Sequence, residues 1–142
     1  MPKGAGQATI STMPQTPRYK RVLLKVSGEA FCKAGGKGVD GEELELIAHE
    51  ILKAHDLGAE VAVTVGGGNI IRGGALAGEG RIPQATADYM GMLGTVINGL
   101  ALKEMLEKLG RAARVMSAIN LSAVAEPFIR GRALRHLEKG RV

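Results

Sequence analysis

Three consecutive glycines, Gly66-Gly67-Gly68, stand directly behind the apolar run Val61-Ala-Val-Thr-Val65. A short β-branched run ended by glycine reads as a buried strand. Glycine loses more freedom on ordering than any other residue, so three in a row point to a backbone that must come close to something. The same alternation of elements continues on both sides. Tyr19 to Val26 is another strand pattern, halted by Ser27-Gly28, and residues 33–41 are a glycine-rich connection. From Glu42 to Leu57 the apolar positions Leu44, Ile47, Ala48, Ile51 and Leu52 recur at helical spacing, behind Asp40 as N-cap and ahead of Gly58 as stop. A longer helical pattern covers 84–109 and stops at Gly110. Ala113 to Met116 is a third short strand, 131–139 a weaker helix, and Gly140-Arg141-Val142 the first step of a further strand. This order predicts an α/β fold, a three-layer α/β/α sandwich with a mostly parallel sheet and right-handed crossovers. Residues 1–17, small, polar and proline-containing, predict a flexible tail before a single domain over 18–142.

Composition narrows the class further. The chain has 142 residues, enough for one domain. Two Tyr, two Phe and no Trp leave the core to aliphatic side chains. The lone Cys32 excludes a disulfide framework and a multi-cysteine zinc site. No apolar run approaches a membrane span and the N-terminus lacks a signal-peptide core, so a cytoplasmic protein is expected. The net charge of +5 is unevenly spread. Residues 1–28 hold basic groups and no acid, and 130–142 hold Arg130, Arg132, Arg135, Lys139 and Arg141 against Glu138 alone, so the middle is net acidic. Aromatics are too scarce to stack bases, and no nucleic-acid partner is expected.

Three segments carry candidate chemistry. Lys25-Val26-Ser27-Gly28 closes the first strand at the edge where open α/β sheets bind ligands. Lys25 supplies a point charge there, while Ser27 and Gly28 offer a hydroxyl and unobstructed N–H groups to phosphate oxygens. The plain alternative is a strand-terminal lysine reaching into solvent. Val65-Gly66-Gly67-Gly68-Asn69-Ile70-Ile71-Arg72 brings backbone to an anion, with the following helix aiming its N–H groups at the ligand and Arg72 adding charge. The loop is neither G-x-G-x-x-G nor G-x-x-x-x-G-K-[ST], which removes the fingerprints of dinucleotide and P-loop sites. Asp88, near the start of the long helix, can accept a ribose hydroxyl pair, although an acid interacting with the helix dipole is the commoner role. Gly91, Gly94 and Gly99 weaken that helix and predict close packing on another backbone or a ligand. His49, His55 and His136 form no metal set; His49 and Asp56 read as solvated, and Met90, Met92, Met105 and Met116 as core.

Taken together, Tyr19-Lys-Arg-Val-Leu-Leu-Lys-Val-Ser-Gly-Glu-Ala30, Gly66-Gly-Gly-Asn-Ile-Ile-Arg-Gly73, Asp88-Tyr-Met-Gly-Met-Leu-Gly-Thr-Val-Ile-Asn-Gly-Leu-Ala101 and Arg114-Val-Met-Ser-Ala-Ile119 resemble the bacterial uridylate kinases of the amino-acid-kinase superfamily. The resemblance runs from Tyr19 to Val142. It implies transfer of the γ-phosphoryl group of ATP to UMP with Mg²⁺, in pyrimidine nucleotide synthesis. Carried over by position, Lys25, Ser27, Gly28, Gly68 and Arg72 contact ATP, Gly67 and Asp88 contact UMP, and Lys25 stabilises the transferring group. The 33–38 loop matches a region linked to activation by GTP. UTP inhibition and a homohexamer are further properties of the family. Gly78-Glu79-Gly80 lies in a stretch about one residue longer than the family pattern. The pattern also continues beyond Val142 into a Thr-Gly-Asn-Pro-type loop, an adenine pocket and another acidic group. The chain is therefore expected to be an inactive fragment with an unpaired sheet edge. The competing readings are a superfamily kinase acting on a carboxylate, which favours Gly-Gly-Gly-Pro over Gly68-Asn69, a non-catalytic nucleotide-binding half-domain, and incidental polyanion binding by the basic ends.

Overall fold

The computed structural model describes residues 16–78 and 80–142. Most of the expected tail, through residue 15, lies outside the described residues, as does Glu79 of the lengthened loop. Strand β1 is Arg21–Val26 and β2 is Glu60–Val65. They pair in parallel, with Arg21 opposite Glu60 and Val26 opposite Val65. Alternation along the strands sends Val22, Leu24, Val26, Val61, Val63 and Val65 to one face, where all belong to a single apolar cluster.

Helix α1, Gly41–Asp56, lays Leu44, Ala48 and Ile51 on that face. Its start is fixed by Asp40, whose Oδ1 accepts from the N–H groups of Glu42 and Glu43 at 2.9 and 3.2 Å. Gly58, at φ +94°, turns the chain out of the helix toward β2. Phe31, fully buried in a single 3-10 turn over Gly28–Phe31, seals the end of the cluster. A side chain of that size stabilises by roughly 1.5–3 kcal/mol when taken out of water. The short helix α2, Gly73–Gly78, precedes the long helix α3, Gln84–Lys108. The latter adds Leu102 and Leu106 to the same cluster.

The expected third strand over 113–116 is displaced. Strand β3 is Met116–Ser117 and pairs in parallel with an unanticipated β4, Glu126–Pro127. Residues 112–114 instead bond to the chain end, Val142 N–H donating to Ala112 O at 3.1 Å and Arg114 N–H to Val142 O at 2.9 Å. Helix α4, Arg130–Glu138, contacts β2 and buries Leu137 outside the main cluster. The result is α/β: α1 and α3 on one side of the parallel strands, with α4 as the third layer. A cleft of about 400 Å³ is lined by β2, α3, residues 113–119 and α4. No helix of the described residues is long and apolar enough to cross a membrane.

Candidate nucleotide-phosphate site

The C-terminal ends of β1 and β2 meet through backbone alone. Gly66 N–H donates to Val26 O at 2.8 Å, continuing the ladder one residue past the strands. A Cβ at Gly28 would collide with Gly68 N and come within 2.8 Å of Asn69 Oδ1, and one at Gly66 would stand 2.8 Å from Gly28 N. The next glycine is docked on α3, since a Cβ on Gly67 would meet Gly91 O at 2.7 Å and Thr95 N at 2.8 Å. Two backbone segments and a helix thus approach more closely than any side chain permits. The Gly94 prediction holds, because its own Cβ would lie 3.2 Å from Gly67 O. Gly99 packs on Val115, and Gly91 contributes its carbonyl, a Cβ there meeting open space.

The loop does not run into a helix, contrary to the sequence expectation. Ile70 and Ile71 N–H groups turn back onto Gly67 O at 3.0 and 3.1 Å, and α2 begins only at Gly73. The consequence lies in what remains free. Among the described residues, none accepts a hydrogen bond from the N–H groups of Gly67, Gly68 and Asn69. Consecutive backbone donors at a strand end make an anion-binding concavity without a helix terminus.

Ser27 and Gly28 lie at this edge, and Lys25, two residues earlier, is exposed with no carboxylate partner among the described residues. Arg72 is engaged: its Nη2 donates to Glu29 Oε1 at 2.9 Å. Glu29 is the site residue that sequence reading missed. Its carboxylate is held below the ordinary range by its own backbone N–H, the Ser27 hydroxyl and then the Arg72 guanidinium. A Cβ on Gly68 would sit 2.8 Å from Glu29 Oε1, so the carboxylate lies over the glycine loop. An acid resting on donors assigned to phosphate was legible only as the residue after Ser27-Gly28. Asp88 sits in the second turn of α3, accepting from Gln84 Nε2 at 2.7 Å. Helical spacing places it on the face of Gly91 and Thr95, one turn before Gly67 docks. The structure thus gathers Ser27, Gly28, Gly67, Gly68 and Arg72 at one edge, with Asp88 on the adjoining helix.

The comparison with known proteins follows this geometry. Residues 20–142 match the Amino acid kinase family. The chain belongs to that family. Uridylate kinase of Xanthomonas axonopodis pv. citri (strain 306) is 54% identical over 124 residues, covering 87% of this chain and 51% of the relative. Uridylate kinase of Rubrobacter xylanophilus is 57% identical over 123 residues, covering 87% and 48%. Among solved structures, UMP kinase from Bacillus anthracis superposes with a TM-score of 0.81 at 47% identity, covering 87% of this chain and 50% of that one. UMP kinase from Ureaplasma parvum gives a TM-score of 0.79 at 31% identity over 88% and 52%. This member of the amino acid kinase family spans about half the length of the curated relatives it matches.

Several bland readings also meet the structure. His49 is exposed, 3.8 Å from Glu45, while Asp56 pairs with Arg111 at 3.0 Å instead of being merely solvated. Met92 is substantially exposed, at 42%, and so is not core. Cys32 is a free thiol whose Sγ approaches Glu29 O and Gly36 O at 3.6 and 3.4 Å.

Proposed function

We propose that this chain carries the phosphate-binding edge of a UMP kinase, which transfers the γ-phosphoryl group of ATP to UMP and releases UDP and ADP. The observation that carries the reading is the set of N–H groups on Gly67, Gly68 and Asn69 that no described residue accepts, at the end of the strand pair that also carries Lys25, exposed and without a carboxylate partner among the described residues. Its support from relatives is that the two similar proteins above are both uridylate kinases.

In this reading ATP phosphates lie across Ser27, Gly28 and Gly68, with Arg72 turning to them from Glu29, while Gly67 and Asp88 hold UMP. An oxygen of the UMP phosphate bonds to the γ-phosphorus as the bridging bond to ADP breaks. Little covalent work falls to the protein, so positioning and charge stabilisation carry the rate. Lys25 neutralises charge on the transferring group. The expected cofactor, Mg²⁺ bound with ATP, would supply charge neutralisation to the phosphates that these residues hold. No three His, Cys, Asp or Glu side chains of the described residues converge, so these residues form no cage for the metal. GTP activation through the 33–38 loop, UTP inhibition, a homohexamer and a cytoplasmic place in pyrimidine nucleotide synthesis complete the proposal.

Titration calorimetry of the chain with MgATP and with UMP tests it, with UDP formation assayed alongside. Saturable binding of both nucleotides is the expected result, and Lys25→Met should weaken MgATP about tenfold. Binding without UDP formation upholds the phosphate-binding edge, and UDP formation overturns the expectation that this chain is inactive. Absence of binding by either nucleotide removes the reading.

A further inference from the structure

Flexible by composition, the Gly66–Gly68 loop needs something to fix its shape, and the side chain that bonds to it comes from the middle of α3. Asn98 is fully buried, and its Nδ2 donates to Gly66 O at 2.7 Å. Its remaining capacity is spent on Asn69, which is 3% exposed. Asn98 Nδ2 donates to Asn69 Oδ1 at 2.6 Å, and Asn69 Nδ2 returns a bond to Asn98 Oδ1 at 3.0 Å. Asn69 then reaches the other glycine-rich loop twice: its Nδ2 donates to Gly38 O at 2.6 Å, and its backbone O accepts from Gly38 N–H at 2.9 Å. A continuous polar path therefore runs from Gly66 through Asn98 and Asn69 to Gly38.

Each link is specific in donor and acceptor. Gly66 presents only a carbonyl to Asn98, so an aspartate there would set acceptor against acceptor. An apolar residue would strand the Gly66 carbonyl and the Asn69 amide, a costly outcome for buried polar groups. Gly66 O and Gly67 N–H share one peptide plane, so holding the carbonyl toward the helix also sets the direction of the Gly67 N–H. The next plane, which carries the Gly68 N–H, is held where Gly67 O accepts from Ile70 and Ile71.

The geometry points to Asn98, acting through Asn69, as the positioning residue that sets the glycine loop for an anion and couples it to the 33–38 loop. The ligand half of this statement rests on the phosphate-binding reading above; the coupling half does not. It assigns a task to the loop over 33–38, whose changes in conformation reach the glycine loop through the backbone and side-chain bonds of Gly38 to Asn69 and on through the Asn69–Asn98 amide pair.

Two variants test it, Asn98→Asp and Asn69→Asp, each checked by circular dichroism for retention of helix. Hydrogen exchange of the unliganded proteins is read over 33–40 and 64–72, with α1 as internal reference. Both segments should exchange at least tenfold faster in each variant while α1 keeps its wild-type protection. MgATP titration of Asn98→Asp should give a Kd at least tenfold above wild type. Asn69→Asp, which leaves the Asn98 bond to Gly66 in place, carries the exchange test if Asn98→Asp does not fold. Wild-type exchange in both segments of a folded variant overturns the coupling. Wild-type MgATP affinity in Asn98→Asp overturns the positioning role. If the unaltered chain binds no MgATP, the phosphate reading fails by itself, and the exchange data still decide the coupling.

Discussion

The strand-end glycine edge and the basic C-terminal region are both rich in positive or hydrogen-donating groups, yet they are built oppositely. At the C-terminal region the donors converge on one acid. His136 Nε2 lies 3.2 Å from Glu126 Oε2, with Arg132 at 3.6 Å and Arg114 at 3.9 Å, and Arg141 Nη1 lies 2.9 Å from His136 Nδ1. Arg132, His136 and Arg114 thus tie α4 to β4 and to the segment after α3, while Arg130, Arg135 and Lys139 stay exposed at the surface. At the glycine edge the backbone donors of Gly67, Gly68 and Asn69 find no acceptor among the described residues. The excess of charge in a sequence therefore locates a site poorly. What distinguishes a site is donors the fold has positioned and not satisfied.

Breaking the glycine edge should give the largest effect. Gly28→Ala forces a methyl group against Gly68 N, which is backbone, and against Asn69 Oδ1, which is held by the buried Asn98 amide. The strands must part or the loop must move, and overpacking of this kind costs about 1–3 kcal/mol. MgATP affinity measured by calorimetry should fall about 10- to 100-fold. Affinity within twofold of wild type would mean that the close approach of the two loops is irrelevant to the ligand.

Glu126→Gln breaks the other region, and pH gives the sign. Hydrogen bonding from His136, then the charges of His136, Arg132 and Arg114, hold the Glu126 carboxyl below its ordinary value of 4.5. The native state therefore binds fewer protons than the unfolded chain in that interval, so the contribution is complete above pH 4.5 and lost as pH falls through the lower native value. At pH 7 the variant should melt about 4 °C below wild type, with MgATP affinity unchanged. The gap in Tm should close in acid. A gap that persists below the native pKa would assign the loss to packing instead of charge.

The frame of the molecule was legible because periodic patterns and their stops coincide. Asp40, Gly58 and Gly110 punctuate α1 and α3 where the sequence places them, and the two glycine loops fall at strand ends. Pieces too short for a period were not legible: the 3-10 turn behind Ser27, α2 between glycines, and β4, which exists only through bonds to Val115 and Ser117. Glu29 and Asn98 were missed for different reasons. An acid beside a phosphate loop contradicts the charge logic that finds such loops. Asn98, however, left a trace, since it stands in the stripe shared by Gly94, Leu102 and Leu106, all facing inward. A lone amide in an apolar stripe implies a buried partner, and Asn69, held in the loop that the stripe faces, is that partner.

The two regions also differ in what their glycines do, and this gives the smallest and most discriminating change. Gly131 lies in the first turn of α4, and a Cβ built there meets nothing within 4 Å. Here the residue has no close approach to protect, so its conformational freedom only disfavours the helix. Gly131→Ala should stabilise by a few tenths to about 1 kcal/mol, acting mainly through the unfolded chain. Thermal melting should show Tm raised by about 2–4 °C, opposite in sign to Gly28→Ala. A lowered Tm would mean that α4 presses on a surface at Gly131, where the fold shows open space.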